Sequence, residues 1–236
     1  MEGLALRPAV KICGLMRAED VRMCVRHGVD IIGFVVDYPR PVPWNIGAES
    51  VKELMKAVSR PTETCIVTGG DAERIIKLAL ETRPDYIQLH YGESPADTAF
   101  IADNLSKHNI KVIKSLFPDS ADLENTARKF EAAGVYALLL DPRTPDNAVD
   151  GGAADFAAYI KIKSAVKCPV VLAGGINPGT AEEAVRQTGA SIIDLMTGVE
   201  RSPGIKDEEK IKMLVISLFA GQSRPKSLKN CSKTIS

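Results

Sequence analysis

The sequence predicts a single closed (β/α)8 barrel, and three observations carry that expectation. Eight short apolar runs rich in Val and Ile alternate with eight amphipathic stretches along 236 residues, which is the pattern of parallel βαβ units. The runs are nearly continuous in apolar residues, as strands buried on both faces must be. The units are of about equal length and fill a chain close to the roughly 250 residues such a barrel needs. A doubly wound open sheet with the same rhythm usually stops at about six strands.

The elements follow in order. Residues 10–13 form the first strand and 18–27 the first helix. Residues 31–36 form the second strand, with a helix over 48–58 after the break at Gly47. Strands at 64–68 and 86–89 are followed by helices at 72–81 and 95–106. Strands at 111–116 and 137–141 are followed by helices at 121–133 and 154–164. The seventh strand, 169–173, leads past Pro178 to a helix over 180–188. The eighth, 191–196, leads past Gly204 to a helix over 206–219. Gly and Pro at those three junctions are ordinary helix-start punctuation. The barrel is thus expected over 1–220. The last stretch, 221–236, is rich in Lys, Ser and Asn without periodicity and reads as a mobile tail.

Composition narrows the function. Lys plus Arg and Asp plus Glu both number 30, so the formal net charge is zero. That argues against a nucleic-acid partner or a membrane surface. Any bound anion must be held by local groups. The start of the chain has no charged region followed by an apolar one, so no signal peptide is expected. The five cysteines are odd in number and none lies in a C-x-x-C pair, which argues against a disulfide framework or a zinc site. Reduced thiols in the cytoplasm are the expectation.

In a (β/α)8 barrel, chemistry sits on the loops at the C-terminal ends of the strands. Cys13 closes the first strand and Asp141 the sixth, so a thiol and a carboxyl face one mouth as an acid/base pair. The loops after strands 7 and 8 carry Gly174-Gly175 and Thr197-Gly198. Phosphate sites in this architecture are commonly built there, because glycine lets backbone N–H groups approach the oxygens. Gly174, Gly175, Thr197 and Gly198 are therefore the expected phosphate cup. The loop from Asp141 to Gly152 is long and polar, suited to a mobile cover. His90, after the fourth strand, is expected to be a structural hydrogen-bonding histidine more than an acid/base group.

Taken together, Lys11-Ile12-Cys13-Gly14, Gly33-Phe34-Val35, Gln88-Leu89-His90, Leu139-Leu140-Asp141, Gly151-Gly152, Leu172-Ala173-Gly174-Gly175 and Gly198-Val199-Glu200 resemble phosphoribosylanthranilate isomerases, in that family's order. The resemblance implies an Amadori rearrangement in tryptophan biosynthesis, turning N-(5-phosphoribosyl)anthranilate into 1-(2-carboxyphenylamino)-1-deoxyribulose 5-phosphate. It implies Asp141 as general acid at the ribose ring oxygen and Cys13 as general base at C2, with no cofactor or metal. Those roles set two expectations: a Cys13 thiol pulled below its usual pKa of about 8.5, and an Asp141 carboxyl raised by burial. The family's carboxylate-binding arginine falls here at Pro43, and Arg40, three residues earlier, is the expected replacement. Where family members commonly have Ser-Ser-Gly, this chain has Met196-Thr197-Gly198. A phosphorylated small molecule is the expected partner, with the chain acting as a monomer or homodimer. Another phosphosugar isomerase or lyase, or a non-catalytic phosphometabolite-binding relative, would share the sugar-phosphate half of the site.

Overall fold

The computed structural model describes residues 7–120, 122–147 and 152–219. The expected tail, 221–236, and residues 148–151 of the cover loop lie outside the described residues. Eight parallel strands close on themselves: β1 (Ala9–Ile12), β2 (Ile31–Val36), β4 (Glu63–Thr68), β5 (Tyr86–Leu89), β6 (Lys111–Leu116), β7 (Ala137–Leu140), β8 (Val170–Leu172) and β9 (Ile192–Leu195). Closure is made by β1, which pairs in parallel with both β2 and β9.

Eight helices wrap the barrel: α1 (Ala18–Arg26), α2 (Ala48–Met55), α3 (Ala72–Thr82), α4 (Pro95–Ser106), α5 (Leu123–Ala132), α6 (Phe156–Ala165), α7 (Ala181–Thr188) and α8 (Glu208–Phe219). Their caps are local in sequence. Asp71 and Asp155 accept backbone N–H bonds at the starts of α3 and α6. Ser94 and Asp97 form a reciprocal capping box before α4, with Pro95 in the first turn.

Three short strands escape periodicity because two or three residues hold no repeat. β3 (Asn45–Ile46) adds to the end of β2, while β10 (Glu200–Ser202) and β11 (Ile205–Lys206) form an antiparallel hairpin. The hairpin corrects the start expected for the last helix. Lys206 lies in β11 with its side chain buried, and α8 begins at Glu208 behind Asp207, whose side chain accepts from the backbone of Glu209 and Lys210. Helix α2 likewise ends at Met55, three residues short of the expected Val58.

The period-2 alternation of strands sorts each one into two faces. One set, including Val10, Ile12, Ile32, Phe34, Ile66, Ile87 and Leu138, packs outward against the helices. The other faces the barrel axis, where Ala9, Ile31, Cys65, Tyr86, Ile113, Ala137, Leu139, Val171 and Ile192 fill the lower interior. Continuing that inward set upward places Cys13, Val35 and Val67 at the mouth, beside Tyr38 and Trp44.

Candidate active site

A cavity opens at the C-terminal ends of the strands, where small-molecule sites of this architecture lie. Cys13, Asp141, Gln88, His90, Arg143 and Asp194 supply its polar lining, and Val35, Tyr38, Val42, Trp44, Val67 and Met196 its apolar wall. A smaller hollow adjoins it, lined by Gly174, Gly175, Thr197 and Gly198 together with Arg143, Asp194 and Met196. The sequence-predicted acid, base and glycines therefore converge on one mouth.

Cys13 is buried. Its sulfur occupies room left by Gly33 on β2, where a Cβ would stand 2.9 Å from the Cys13 Sγ. Burial pushes the thiol pKa up, and the charges of Lys11, Lys206 and Arg143 only partly oppose this. The expected lowering of this thiol is thus reversed in the free protein, because desolvation outweighs the surrounding cations.

Asp141 is also buried, and burial alone would raise its carboxyl. Arg143, two residues on, reverses the sign. The guanidinium Nε donates to both carboxylate oxygens at 3.0 and 3.2 Å, Nη2 donates at 2.7 Å, and the backbone N–H of Arg143 donates at 3.0 Å. This clamp holds the Asp141 pKa below the ordinary carboxylate value. The raised value expected from burial is therefore also corrected, and a neighbour two residues away is the cause.

His90 anchors the same loop. Its Nε2 lies 3.1 Å from the Arg143 carbonyl, which can only accept, so that nitrogen carries the proton. Its Nδ1 then accepts from Ser115 Oγ at 2.8 Å. Burial pushes the His90 pKa down to about 4, with Asp141 opposing. A neutral imidazole with both nitrogens engaged is the structural role favoured from sequence.

Beneath the mouth, Lys11 and Asp194 stand opposite each other in the β1–β9 register and pair at 2.8 Å with almost no solvent contact. Burial alone would pull the Lys11 pKa down, but the Asp194 charge and hydrogen bond, together with the Cys13 and Cys65 thiols, more than offset it and keep the ammonium charged. The second carboxylate oxygen, Oδ1, has no hydrogen-bond partner among the described residues. Lys206 completes the floor, donating from Nζ to the Cys13 carbonyl at 2.6 Å and to Glu200 at 2.8 Å. Glu200 in turn accepts from Trp44 Nε1 at 2.9 Å. One buried ion pair thus ties together the loops after β1, β2 and β9.

The glycine cup is made by backbone proximity. Gly174 and Gly175 have φ of +101° and +58°, a region that L side chains rarely adopt. A Cβ on Gly198 would collide with the Ile176 carbonyl, so the loops after β8 and β9 touch main chain to main chain. Arg40 lies outside the cavity lining. It is half exposed and pairs at 2.8 Å with Asp146, an exposed residue of the loop after β7.

Asp194 and Lys206 were not singled out from sequence, Gln88 entered only within the Gln88-Leu89-His90 motif, and Arg143 only as the next candidate after Arg40 for the anthranilate carboxylate. Asp194 had a signal: a carboxylate inside the apolar strand Ile-Ile-Asp-Leu needs a buried partner, and Lys11 is the same anomaly in β1. For Arg143 the clamp on Asp141 had no signal, since a charge in a polar loop reads as free to meet a ligand and not as folded back onto a carboxylate two residues earlier.

Comparison with known proteins agrees with this arrangement. Residues 10–217 match the family model of N-(5'-phosphoribosyl)anthranilate (PRA) isomerase. The N-(5'-phosphoribosyl)anthranilate isomerase of Methanopyrus kandleri is 33% identical over 214 residues, covering 87% of this chain and 96% of the relative. The crystal structure of phosphoribosyl anthranilate isomerase from Thermus thermophilus superposes with a TM-score of 0.75 at 28% identity, covering 89% of this chain and 98% of that one. A phosphoribosyl anthranilate isomerase in complex with reduced 1-(o-carboxyphenylamino)-1-deoxyribulose 5-phosphate superposes with a TM-score of 0.72 at 26% identity, over the same shares of the two chains. With an eight-stranded barrel, a thiol and a carboxyl at the ends of β1 and β7, and a glycine cup between β8 and β9, this chain belongs to the phosphoribosylanthranilate isomerase family of tryptophan biosynthesis.

Proposed function

We propose that the mouth converts N-(5-phosphoribosyl)anthranilate to 1-(2-carboxyphenylamino)-1-deoxyribulose 5-phosphate with Asp141 and Cys13 as its acid and base. The observation that carries this reading is that both side chains line one cavity, which adjoins the glycine cup. The 5-phosphate sits against the backbone of Gly174, Gly175 and Gly198 with Thr197 at the rim. The anthranilate ring lies on the apolar wall of Val35, Val67, Trp44 and Met196. Asp141 delivers a proton to the ribose ring oxygen, and the C1–O bond breaks to give an open-chain iminium. The Cys13 thiolate then removes the proton on C2, its electron pair moves into the C=N system, and the resulting enolamine tautomerises to the ketone.

Arg40 is the group proposed for the anthranilate carboxylate. Its pairing with Asp146 is solvent-exposed, and such pairs contribute about 1 kcal/mol or less. A substrate carboxylate can therefore replace Asp146 at small cost. The substrate diffuses in as a small molecule. No helix among the described residues is long and apolar enough to cross a membrane, and we place the enzyme in the cytoplasm as a monomer or homodimer.

The test is rescue of a tryptophan auxotroph lacking this isomerase, with purified protein assayed for turnover of N-(5-phosphoribosyl)anthranilate. Rescue that Cys13→Ser or Asp141→Asn abolishes supports the assignment. Turnover of other phosphosugars and none of this substrate would redirect it to a different phosphosugar isomerase.

A further inference from the structure

The free protein presents a contradiction. A general acid must carry a proton and aim it at the substrate, yet Asp141 is held as an anion whose oxygens are taken up by Arg143. The clamp has two parts of different rigidity. Its backbone is fixed, because His90 donates to the Arg143 carbonyl and the Arg143 N–H donates to Asp141. Among the described residues its side chain is not otherwise held by strong contacts, since Nη1 has only the Met196 sulfur, at 3.9 Å. Arg143 also lines both hollows, the mouth with Cys13 and Asp141 and the cup with Gly174, Gly175 and Gly198.

We propose that Arg143 is a partner-exchanging positioning residue, which clamps Asp141 in the free protein and turns to a tetrahedral dianion in the glycine cup when ligand binds. This rests on reading the cup as the phosphate site. Guanidinium pairs with carboxylate and phosphate through the same bidentate fork, and a dianion carries the larger charge. Arg143 keeps its proton throughout. Asp141, freed inside a buried site, takes one proton from solvent and becomes the acid. Among the described residues, the titratable groups facing Asp141 besides Arg143 are Cys13 after β1, Tyr38 after β2, His90 after β5 and Asp194 on β9. His90 is already neutral, Tyr38 and Cys13 are uncharged in the resting site, and Asp194 is a second acid that disfavours another anion beside it. None of them can replace the cation that Asp141 loses. Substrate phosphate would thereby switch on the acid that opens its own sugar ring.

Sulfate tests this without turnover, since it has the shape and charge of a phosphate dianion and no proton of its own to exchange at mildly acid pH. Calorimetric titration of the full chain with sulfate, in two buffers of different ionisation enthalpy, counts the protons taken up. The wild-type protein should take up a large fraction of one proton per sulfate. Arg143→Met should bind sulfate at least about tenfold more weakly, the effect of losing a charge-assisted contact, and take up none. Asp141→Asn should bind sulfate more tightly than wild type, since its guanidinium is already free, again without uptake. Binding by wild type with no proton uptake overturns the exchange and leaves the cup intact. Failure of wild type to bind sulfate overturns both, and Arg143→Met binding as tightly as wild type removes Arg143 from the cup.

Discussion

Lys11→Met isolates the buried ion pair under the Cys13 thiol. Lys11 Nζ and Asp194 Oδ2 are 2.8 Å apart, with side-chain exposures of 1% and 3%. Methionine keeps most of the lysine stem's volume and removes the charge. Asp194 is then a buried carboxylate with one oxygen already unpartnered. Removing one member of such a pair costs about 3–5 kcal/mol. For a chain of this length each kcal/mol moves the melting temperature by about 2–4 °C, so the variant should melt roughly 6–20 °C below the parent. The loss should depend on pH with a definite sign. Burial already raises the Asp194 pKa, and Lys11 is the first of the groups that oppose it. Without Lys11 the folded-state pKa rises further above the unfolded value, so the folded form binds more protons. Stability is then greatest at acid pH and falls as pH rises through the folded-state pKa. The double variant Lys11→Met/Asp194→Leu replaces both charges by apolar groups and should recover much of the loss. Urea and thermal unfolding of the parent and both variants supply the comparison. A Lys11→Met penalty below about 1 kcal/mol, or one that grows toward acid pH, would refute the reasoning.

The other predictions concern the chemistry. Cys13→Ser keeps the shape but not the acidity, and turnover should fall at least about 100-fold with little change in substrate affinity; turnover within a few-fold of the parent would remove Cys13 from the mechanism. Burial raises the Cys13 pKa and the Arg143 clamp lowers that of Asp141, so the reactive thiolate–carboxylic acid pair is a minor form with the same proton count as the resting pair. The pH profile of kcat/KM should therefore show a wide plateau, with an acidic limb below the usual carboxylate range and an alkaline limb above the usual thiol range. Asp141→Asn should lose most turnover and replace that plateau by residual activity that climbs with pH as Cys13 ionises. Arg40→Ala should weaken binding of a product analogue by about 1.5–3 kcal/mol, roughly 10- to 100-fold, with Arg40→Lys recovering part of it. Trp44, buried at the mouth, reports that binding by fluorescence; unchanged affinity would move the carboxylate to another cation.

The chain's own alternation was enough to bring Cys13, Asp141 and the loop glycines to one mouth. Eight apolar runs separated by amphipathic stretches dictate parallel strands, and side chains two residues apart share a face, so Lys11 and Cys13, Gln88 and His90, and Leu139 and Asp141 fall on one side of their strands. Positive φ at Gly174 and Gly175 could likewise be foreseen from glycine at a strand-to-helix turn. Relationships between distant segments could not. Barrel closure sets Lys11 against Asp194, 183 residues later, and the same closure brings Lys206 under Cys13. Local spacing cannot reveal which of several charges meet in a low-dielectric interior, nor how much water is left between them. The two pKa expectations failed for that reason. A thiol in the role of a base was expected to be acidic, but burial outweighs the cations around it, and a buried carboxyl was expected to hold its proton, but Arg143 folds back onto it. Residue type and register decide where each group stands, while its charge is decided by desolvation and by neighbours that only the folded chain assembles.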